Sequence, residues 1–203
     1  MTDLGRTLET LELVGGSLCL DFVNTINSRH SPEHDYMMQY SDVVDWATKL
    51  GILSLAQNHQ LQKRARQNIH EAENALIAAR TLRDLLYRLF SSTAKGSEPG
   101  KKDLEIFTLF YGESLSRGQF VKRETHYSTT WKFDEALESV LWPIIHSAGE
   151  LLLSGEFSRA KECPGCGWLF LDTSKNQSRR WCSMNTCGAR DKMRRYHERQ
   201  RAK

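Results

Sequence analysis

Cys163-Pro164-Gly165-Cys166, followed by Cys182 and Cys187, is the stretch that decides how the end of this chain folds. The spacing is C-x2-C, fifteen residues, then C-x4-C, and the second pair is wider by two than the commonest zinc-ribbon spacing. Four thiolates spaced in this way can surround one zinc ion as a tetrahedron. Because every ligand would be a protein sulfur, with no coordination position left open, we expect one structural Zn²⁺ and not a catalytic ion.

Two disulfides are the competing interpretation of these cysteines, and the cellular compartment decides between the two. Residues 1–13 carry several charged side chains and no apolar run, so they do not resemble a secretory signal peptide. No stretch approaches the roughly 20 apolar residues of a membrane span. We therefore expect a cytoplasmic protein without a membrane segment, where reducing conditions favour zinc thiolates. The fifth cysteine, Cys19, has apolar neighbours and is expected to be a small buried side chain.

The sequence before the cysteines has mainly helical patterns. With 203 residues, of which 39% are hydrophobic, the chain can bury one sizeable core and still carry a small appendage. Helices are predicted over residues 41–51, 101–115 and 134–153, and one long helix or two helices in sequence are predicted over 55–92. Pro143 should kink the last helix, and the composition of 119–133 predicts a β-hairpin. The predicted fold class is α+β, with a mainly helical N-terminal domain, residues 1–156, and a zinc module, residues 157–203.

The zinc module has its own local pattern. The apolar run Trp168–Leu171 predicts a strand, and the polar residues 172–178 predict a turn that leads back through 179–181 as a hairpin. Ser183 can then cap a helix that carries Cys187 in its first turns. Knuckle, hairpin and ligand-bearing helix together predict a treble-clef zinc finger. So short a segment has too small a core to fold alone, and a structural zinc contributes about 10–16 kcal/mol.

Charge is divided unevenly along the chain. Residues 159–203 hold 12 Lys/Arg against 4 Asp/Glu, whereas residues 1–158 hold 16 against 21. A basic, metal-stabilised end indicates a polyanionic partner, and arginine, with its planar fork, predominates there. We expect duplex DNA, ahead of RNA, to be that partner. The predicted nucleic-acid contacts are Arg179, Arg180, Arg190, Lys192, Arg194, Arg195 and Arg199.

The run from Cys163 to Arg190 resembles the CGNR zinc finger, which is named for a Cys-Gly-Asn-Arg motif. The N-terminal region is similar to the ABATE domain that precedes this finger, through Gly15-Gly16, Leu20-Asp21-Phe22-Val23-Asn24-Thr25 and the segment 41–53. The two resemblances cover nearly the whole chain. They imply a bacterial transcription regulator induced by stress, whose finger binds zinc through its four cysteines.

One residue departs from the motif that names the finger. Ala189 stands where the family has asparagine, in Cys187-Gly188-Ala189-Arg190. The four ligands are unaffected by this change. It removes an amide that could cap the helix or touch a base, so we expect its effect on sequence specificity or on the helix start.

No pattern of a known catalytic centre stands out in the body: there is no Gly-rich phosphate loop, nucleophile elbow or His-Glu-x-x-His motif. We therefore predict a non-enzymatic DNA-binding regulator. The alternatives are an RNA-binding protein, or an enzyme or small-molecule sensor whose finger only docks a protein. Asp21, Asn24 and Thr25 could line an effector pocket, or they could simply cap and hold the first helix. A homodimer is also open, because one small finger touches few base pairs.

Overall fold

The computed structural model describes residues 7–133 and 136–201. Of the chain, 58% is helical, which confirms the predicted mainly helical α+β class. The helices are α1 Leu18–Val23, α2 Tyr40–Lys49, α3 Leu55–Gln67, α4 Ile69–Ala94, α5 Lys101–Arg117, α6 Trp142–Leu153 and α7 Ala189–Arg201. The strands are β1 Gln119–Lys122, β2 Tyr127–Thr130, β3 Ala160–Glu162 and β4 Leu169–Leu171.

Local capping explains where the first helices begin and end. α2 starts at Tyr40, one residue before the predicted range 41–51, because Gln39 and Asp42 form a capping box. Gly51, with φ of +71°, follows the last residues of this helix in the left-handed conformation that glycine adopts without strain. The segment predicted as one or two helices is two, since Asn68 ends α3 and its side chain accepts a hydrogen bond from the Glu71 amide at the start of α4.

α4 is the central helix of the core. It contacts α1, α2, α3 and α5 as well as β3 and β4. Among the side chains without measurable exposure are Trp46 of α2, Phe22 of α1 and Phe90 of α4, and the rings of Phe22 and Trp46 meet with centroids 5.5 Å apart. Large aromatic side chains therefore contribute to the centre of this core.

The helix predicted over 134–153 differs from the prediction in its first part. A 3-10 helix, Leu137–Leu141, leads into α6, which begins at Trp142 with Pro143 in its first turn. Pro143 therefore starts the α-helix and does not kink it, because the first turn needs no amide donor at that position. The predicted start at Asp134 lies outside the described residues.

Both small sheets are antiparallel hairpins. The predicted hairpin within 119–133 is present as β1 and β2, with Gln119 opposite Thr130. The strand predicted near the cysteines is also present, as β4, but its partner differs from the prediction. β4 pairs with β3, which precedes the first cysteine, so that Ala160 lies opposite Leu171, and residues 179–181 form no strand. The hairpin thus closes around the first pair of cysteines.

None of the helices in the described ranges is both long and apolar enough to cross a bilayer.

Candidate metal centre and nucleic-acid interface

The first two cysteines lie in the turn that joins β3 to β4. The Cys163 amide donates to the Trp168 carbonyl (2.8 Å), and the Gly167 amide donates to the Cys163 carbonyl (2.8 Å), which closes a tight knuckle. Gly167 has φ of +73°, and a Cβ at this position would lie 2.7 Å from the Cβ of Arg29. Glycine is therefore required here by backbone conformation and by the close approach of the body.

Four sulfur atoms converge below this knuckle. The ligand atoms of Cys163, Cys166, Cys182 and Cys187 all lie within 4.8 Å of one another, and all four residues are buried. The Sγ of Cys182 is 3.6 Å from that of Cys166 and 3.8 Å from that of Cys187. Zinc–sulfur bonds of about 2.3 Å in a tetrahedron place sulfurs at about this separation, whereas a disulfide needs about 2.05 Å. The site fits one structural zinc ion.

The four thiols lie close enough to change one another's pKa. Hydrogen bonds from the Cys166, Cys182 and Cys187 thiols hold the pKa of Cys163 below its ordinary value, whereas the hydrogen bond with Cys163 raises the pKa of Cys182. A divalent cation would replace the thiol protons, because metal ligation requires thiolates and releases protons.

A buried carboxylate positions the loop between the two cysteine pairs. Asp172 accepts hydrogen bonds from the Ser174 amide (3.0 Å) and hydroxyl (2.6 Å), from the Arg179 amide (2.8 Å) and from Lys161 Nζ (2.6 Å). Burial raises the pKa of Asp172, but the hydrogen bonds from Lys161, Ser174 and Arg179 outweigh burial and hold it below its ordinary value. Asp172 therefore holds the Arg179 end of the loop close to Lys161 of β3. This explains why 179–181 does not pair with β4.

The last cysteine lies immediately before the basic helix. Ser183 precedes one π-helical turn, Met184–Gly188, which contains Cys187 and runs directly into α7. Ser183 makes no side-chain capping bond. Arg190, in the first turn of α7, points its Nη2 at the Cys187 sulfur (3.6 Å). A hydrogen bond to a metal ligand from a residue that does not bind the metal itself orients that ligand. A positively charged donor also offsets the negative charge of a zinc thiolate centre.

Residues of the body hold the knuckle from the other side. The Cys166 carbonyl accepts hydrogen bonds from the Arg29 amide (2.7 Å) and the Ser28 hydroxyl (3.3 Å). The Trp168 indole donates to the Ile26 carbonyl (2.6 Å). We call the segment 24–36 the cradle loop. Sequence reasoning did not identify its role, because contacts between residues about 140 positions apart leave no local pattern.

The three residues predicted for an effector pocket all make contacts within the fold. Asp21 accepts from the Gly15 amide (2.8 Å), and the Thr25 hydroxyl donates to the Phe22 carbonyl (2.8 Å). The Asn24 amide joins the body to the finger, since it donates to the Leu169 carbonyl (2.8 Å) and accepts from the Leu169 amide (2.9 Å). These contacts are of the helix-holding kind, and an effector role for the three residues stays a prediction.

The predicted nucleic-acid residues fall into two groups. Arg179 donates to the Trp181 and Cys182 carbonyls and lies over the Phe170 ring, and Arg194 and Arg195 both pair with Asp191. Among the described residues, Lys192 and Arg199 make no ion pair, and the Arg180 guanidinium lies 4.9 Å over the Trp181 ring. α7 is exposed along its length except at Asp191, so most of its cations face solvent.

Family models match both parts of this architecture. The ABATE model, described as "Putative stress-induced transcription regulator", matches residues 16–155. The chain belongs to the ABATE family. The model of the CGNR zinc finger matches residues 159–200, which contain all four converging cysteines. A comparison with curated proteins gives no match. Both resemblances inferred from the motifs are confirmed, and this ABATE protein is a zinc-binding member of a regulator family.

Proposed function

We propose that this protein is a non-enzymatic transcription regulator that binds duplex DNA through α7 and the adjoining Arg180. The observation that carries the proposal is the exposed helix that follows the last zinc ligand. Its thirteen residues contain six Lys/Arg and two Asp/Glu, which gives a formal charge of +4. A helix that is polar on all sides gains little from packing on its own protein, whereas a polyanion would neutralise its charge.

Helical spacing groups the cations of α7. Lys192, Arg195 and Arg199 are three, four and seven residues apart, so they share one face. Arg190 and Arg194 share a neighbouring face, and both border a shallow cleft that Arg180 and Trp181 also line. Arginine at such positions can bind phosphates or the edge of guanine with two hydrogen bonds, which lysine cannot.

The zinc centre and the cradle loop support the proposal in a second way. The ion would fix Cys187 and therefore the first turn of α7, while the hydrogen bonds of Ser28 and Arg29 fix the knuckle to the body. A helix held at its start in this way loses less entropy when it binds than a disordered basic tail would lose.

Fluorescence anisotropy with the zinc-loaded full chain tests the proposal. Labelled random duplex DNA, and single-stranded and hairpin RNA of equal length, are titrated over a range of salt concentrations. We expect preference for duplex DNA and, for about five phosphate contacts, a slope of log K against log salt near −4 to −5. Stronger binding to RNA would identify RNA, and not DNA, as the partner. Affinity that does not change with salt would indicate that the finger docks a protein.

Two variants assign the binding to α7. Lys192→Gln combined with Arg199→Gln removes two cations of α7 that make no ion pair with a described residue, and should lower the salt slope by about two. Lys63→Gln combined with Lys122→Gln removes the same charge from exposed positions of α3 and β1 and should leave binding unchanged. Equal losses in the two double variants would contradict a specific role for α7. Analytical ultracentrifugation of the complex would show whether a homodimer forms.

A further inference from the structure

A cavity of about 610 Å³ opens on the body, and all the residues that line it fall within 74–145. Residues 74–82 of α4 and 110–117 of α5 form its sides, and the 3-10 helix with the start of α6 forms its floor. Its apolar lining includes Ile77, Leu82, Phe110, Leu141, Trp142 and Ile145. Both its size and its apolar lining are those of a small-molecule site.

The geometry of α4 and α5 explains why the cavity exists. Near the connecting segment 95–100, the two helices are held together by Arg88 and Asp103, whose two hydrogen bonds are each 2.8 Å long. The cavity lies toward the opposite ends of the helices. There, α5 is fastened to α6, because the Ser114 hydroxyl donates to the Trp142 carbonyl (2.9 Å).

The charges at the cavity are not balanced. Arg117 lies 3.9 Å from Glu113 and 5.6 Å over the ring of Trp142, so its guanidinium already has an anionic and an aromatic partner. Glu138, on the 3-10 helix, also lines the cavity and is only partly exposed. Within residues 7–133 and 136–201, this carboxylate has neither a hydrogen bond nor an ion pair. Among the described residues, one carboxylate without an ion-pair partner therefore borders an apolar, aromatic-lined space.

We propose that this cavity binds a small apolar molecule that carries aromatic rings and one permanent positive charge. The volume accommodates several rings, and Phe110 and Trp142 offer aromatic surfaces to them. The Glu138 carboxylate supplies the opposite charge in a partly desolvated place, where an ion pair is worth more than in water. An anion of the same shape is repelled by that carboxylate. This site is independent of the proposed contact with DNA.

Isothermal titration calorimetry of the zinc-loaded full chain tests the site with two probes, tetraphenylphosphonium and tetraphenylborate. These ions have nearly the same size and shape and opposite charge. We expect tetraphenylphosphonium to bind with one-to-one stoichiometry. Tetraphenylborate should bind at least about tenfold more weakly, which corresponds to a difference in binding free energy of roughly 1.4 kcal/mol. Equal binding of the two ions, or no binding of the cation, overturns the proposal.

Three variants locate the binding. Glu138→Gln keeps the shape of the side chain and should weaken the cation about five- to tenfold, while Glu105→Gln, outside the cavity on α5, should leave it unchanged. Ala78→Phe fills the cavity from α4 and should abolish binding, with circular dichroism to verify that the helices remain. Cation binding that survives both Glu138→Gln and Ala78→Phe contradicts the proposal.

Discussion

Asn24 and Leu169 are joined by two hydrogen bonds, so one buried side chain of α1's end pairs with both backbone groups of a β4 residue. The amide acts as an additional strand partner for the knuckle hairpin. Asn24 is 1% exposed and Leu169 has no measurable exposure, so water cannot replace either bond. The finger and the body are therefore connected by hydrogen bonds from a side chain to the backbone, in addition to apolar contact.

Asn24→Ala should destabilise the whole chain. It leaves the Leu169 amide and carbonyl without their partner, at a cost of about 1–3 kcal/mol for each buried group. Urea denaturation followed by circular dichroism measures the loss. Asn176→Ala, at an exposed position of the 172–181 loop, is the matched control and should change the free energy of unfolding by less than about 0.5 kcal/mol. Similar values for the two variants would show that the pairing contributes little.

Cys182→Ser should abolish stoichiometric zinc binding, because three sulfurs leave one tetrahedral position without a thiolate. We expect elemental analysis to find about one zinc per chain in the parent protein and much less in the variant. The body should keep its helices but melt at a lower temperature, because the Cys166 carbonyl and the cradle loop stabilise each other. An unchanged melting temperature would contradict that coupling. Cys19→Ser, outside the cluster, should retain the metal.

Arg190→Gln should lower zinc affinity about tenfold or more, since it removes the guanidinium that contacts the Cys187 sulfur. Competition with a chromophoric chelator measures this effect without any nucleic acid. Lys192→Gln, two residues along α7, removes the same charge without a sulfur contact and should leave zinc affinity unchanged. If both variants lose affinity equally, general electrostatics and not the contact with Cys187 is responsible.

Asp35→Asn should make the free energy of unfolding depend less on pH in the acid range. The Asp35 carboxylate accepts two hydrogen bonds of 2.6 Å from Arg83, which is 3% exposed. Burial raises the pKa of Asp35, but these hydrogen bonds and the Arg83 charge hold it below its ordinary value. The stabilisation is therefore fully present above the unfolded-state pKa of about 3.9, and is lost as the pH falls through the lower folded-state pKa.

The difference in unfolding free energy between Asp35→Asn and the parent measures this effect. We expect about 3–5 kcal/mol near pH 6, because the variant removes the carboxylate that is hydrogen-bonded to the buried Arg83 and leaves only Asp84, at 4.0 Å, as an ion-pair partner among the described residues. The difference should shrink as the pH is lowered below about 4. A difference that stays constant over this range would show that Asp35 acts through its shape and not through its charge.

Sequence patterns predicted the elements that depend on neighbouring residues. The cysteine spacing identified the four converging sulfurs, and apolar periodicity identified α2 to α5, since both follow from local geometry. The partner of β4 was predicted wrongly, because a short apolar run does not specify which segment pairs with it. The deciding interactions are those of Asp172 with Lys161 and Arg179, and such non-local hydrogen bonds leave no spacing to recognise.

The close contact between Gly167 and Arg29 has a consequence for protein engineering. The finger is not a cassette that could be transplanted as residues 159–200 alone. Such a graft would leave three groups of the finger without their hydrogen-bond partners. The Trp168 indole pairs with Ile26, the Leu169 backbone with Asn24, and the Cys166 carbonyl with Ser28 and Arg29. A working chimera would need to bring the cradle loop with it, and the choice of crossover points should follow these contacts and not the order of the chain.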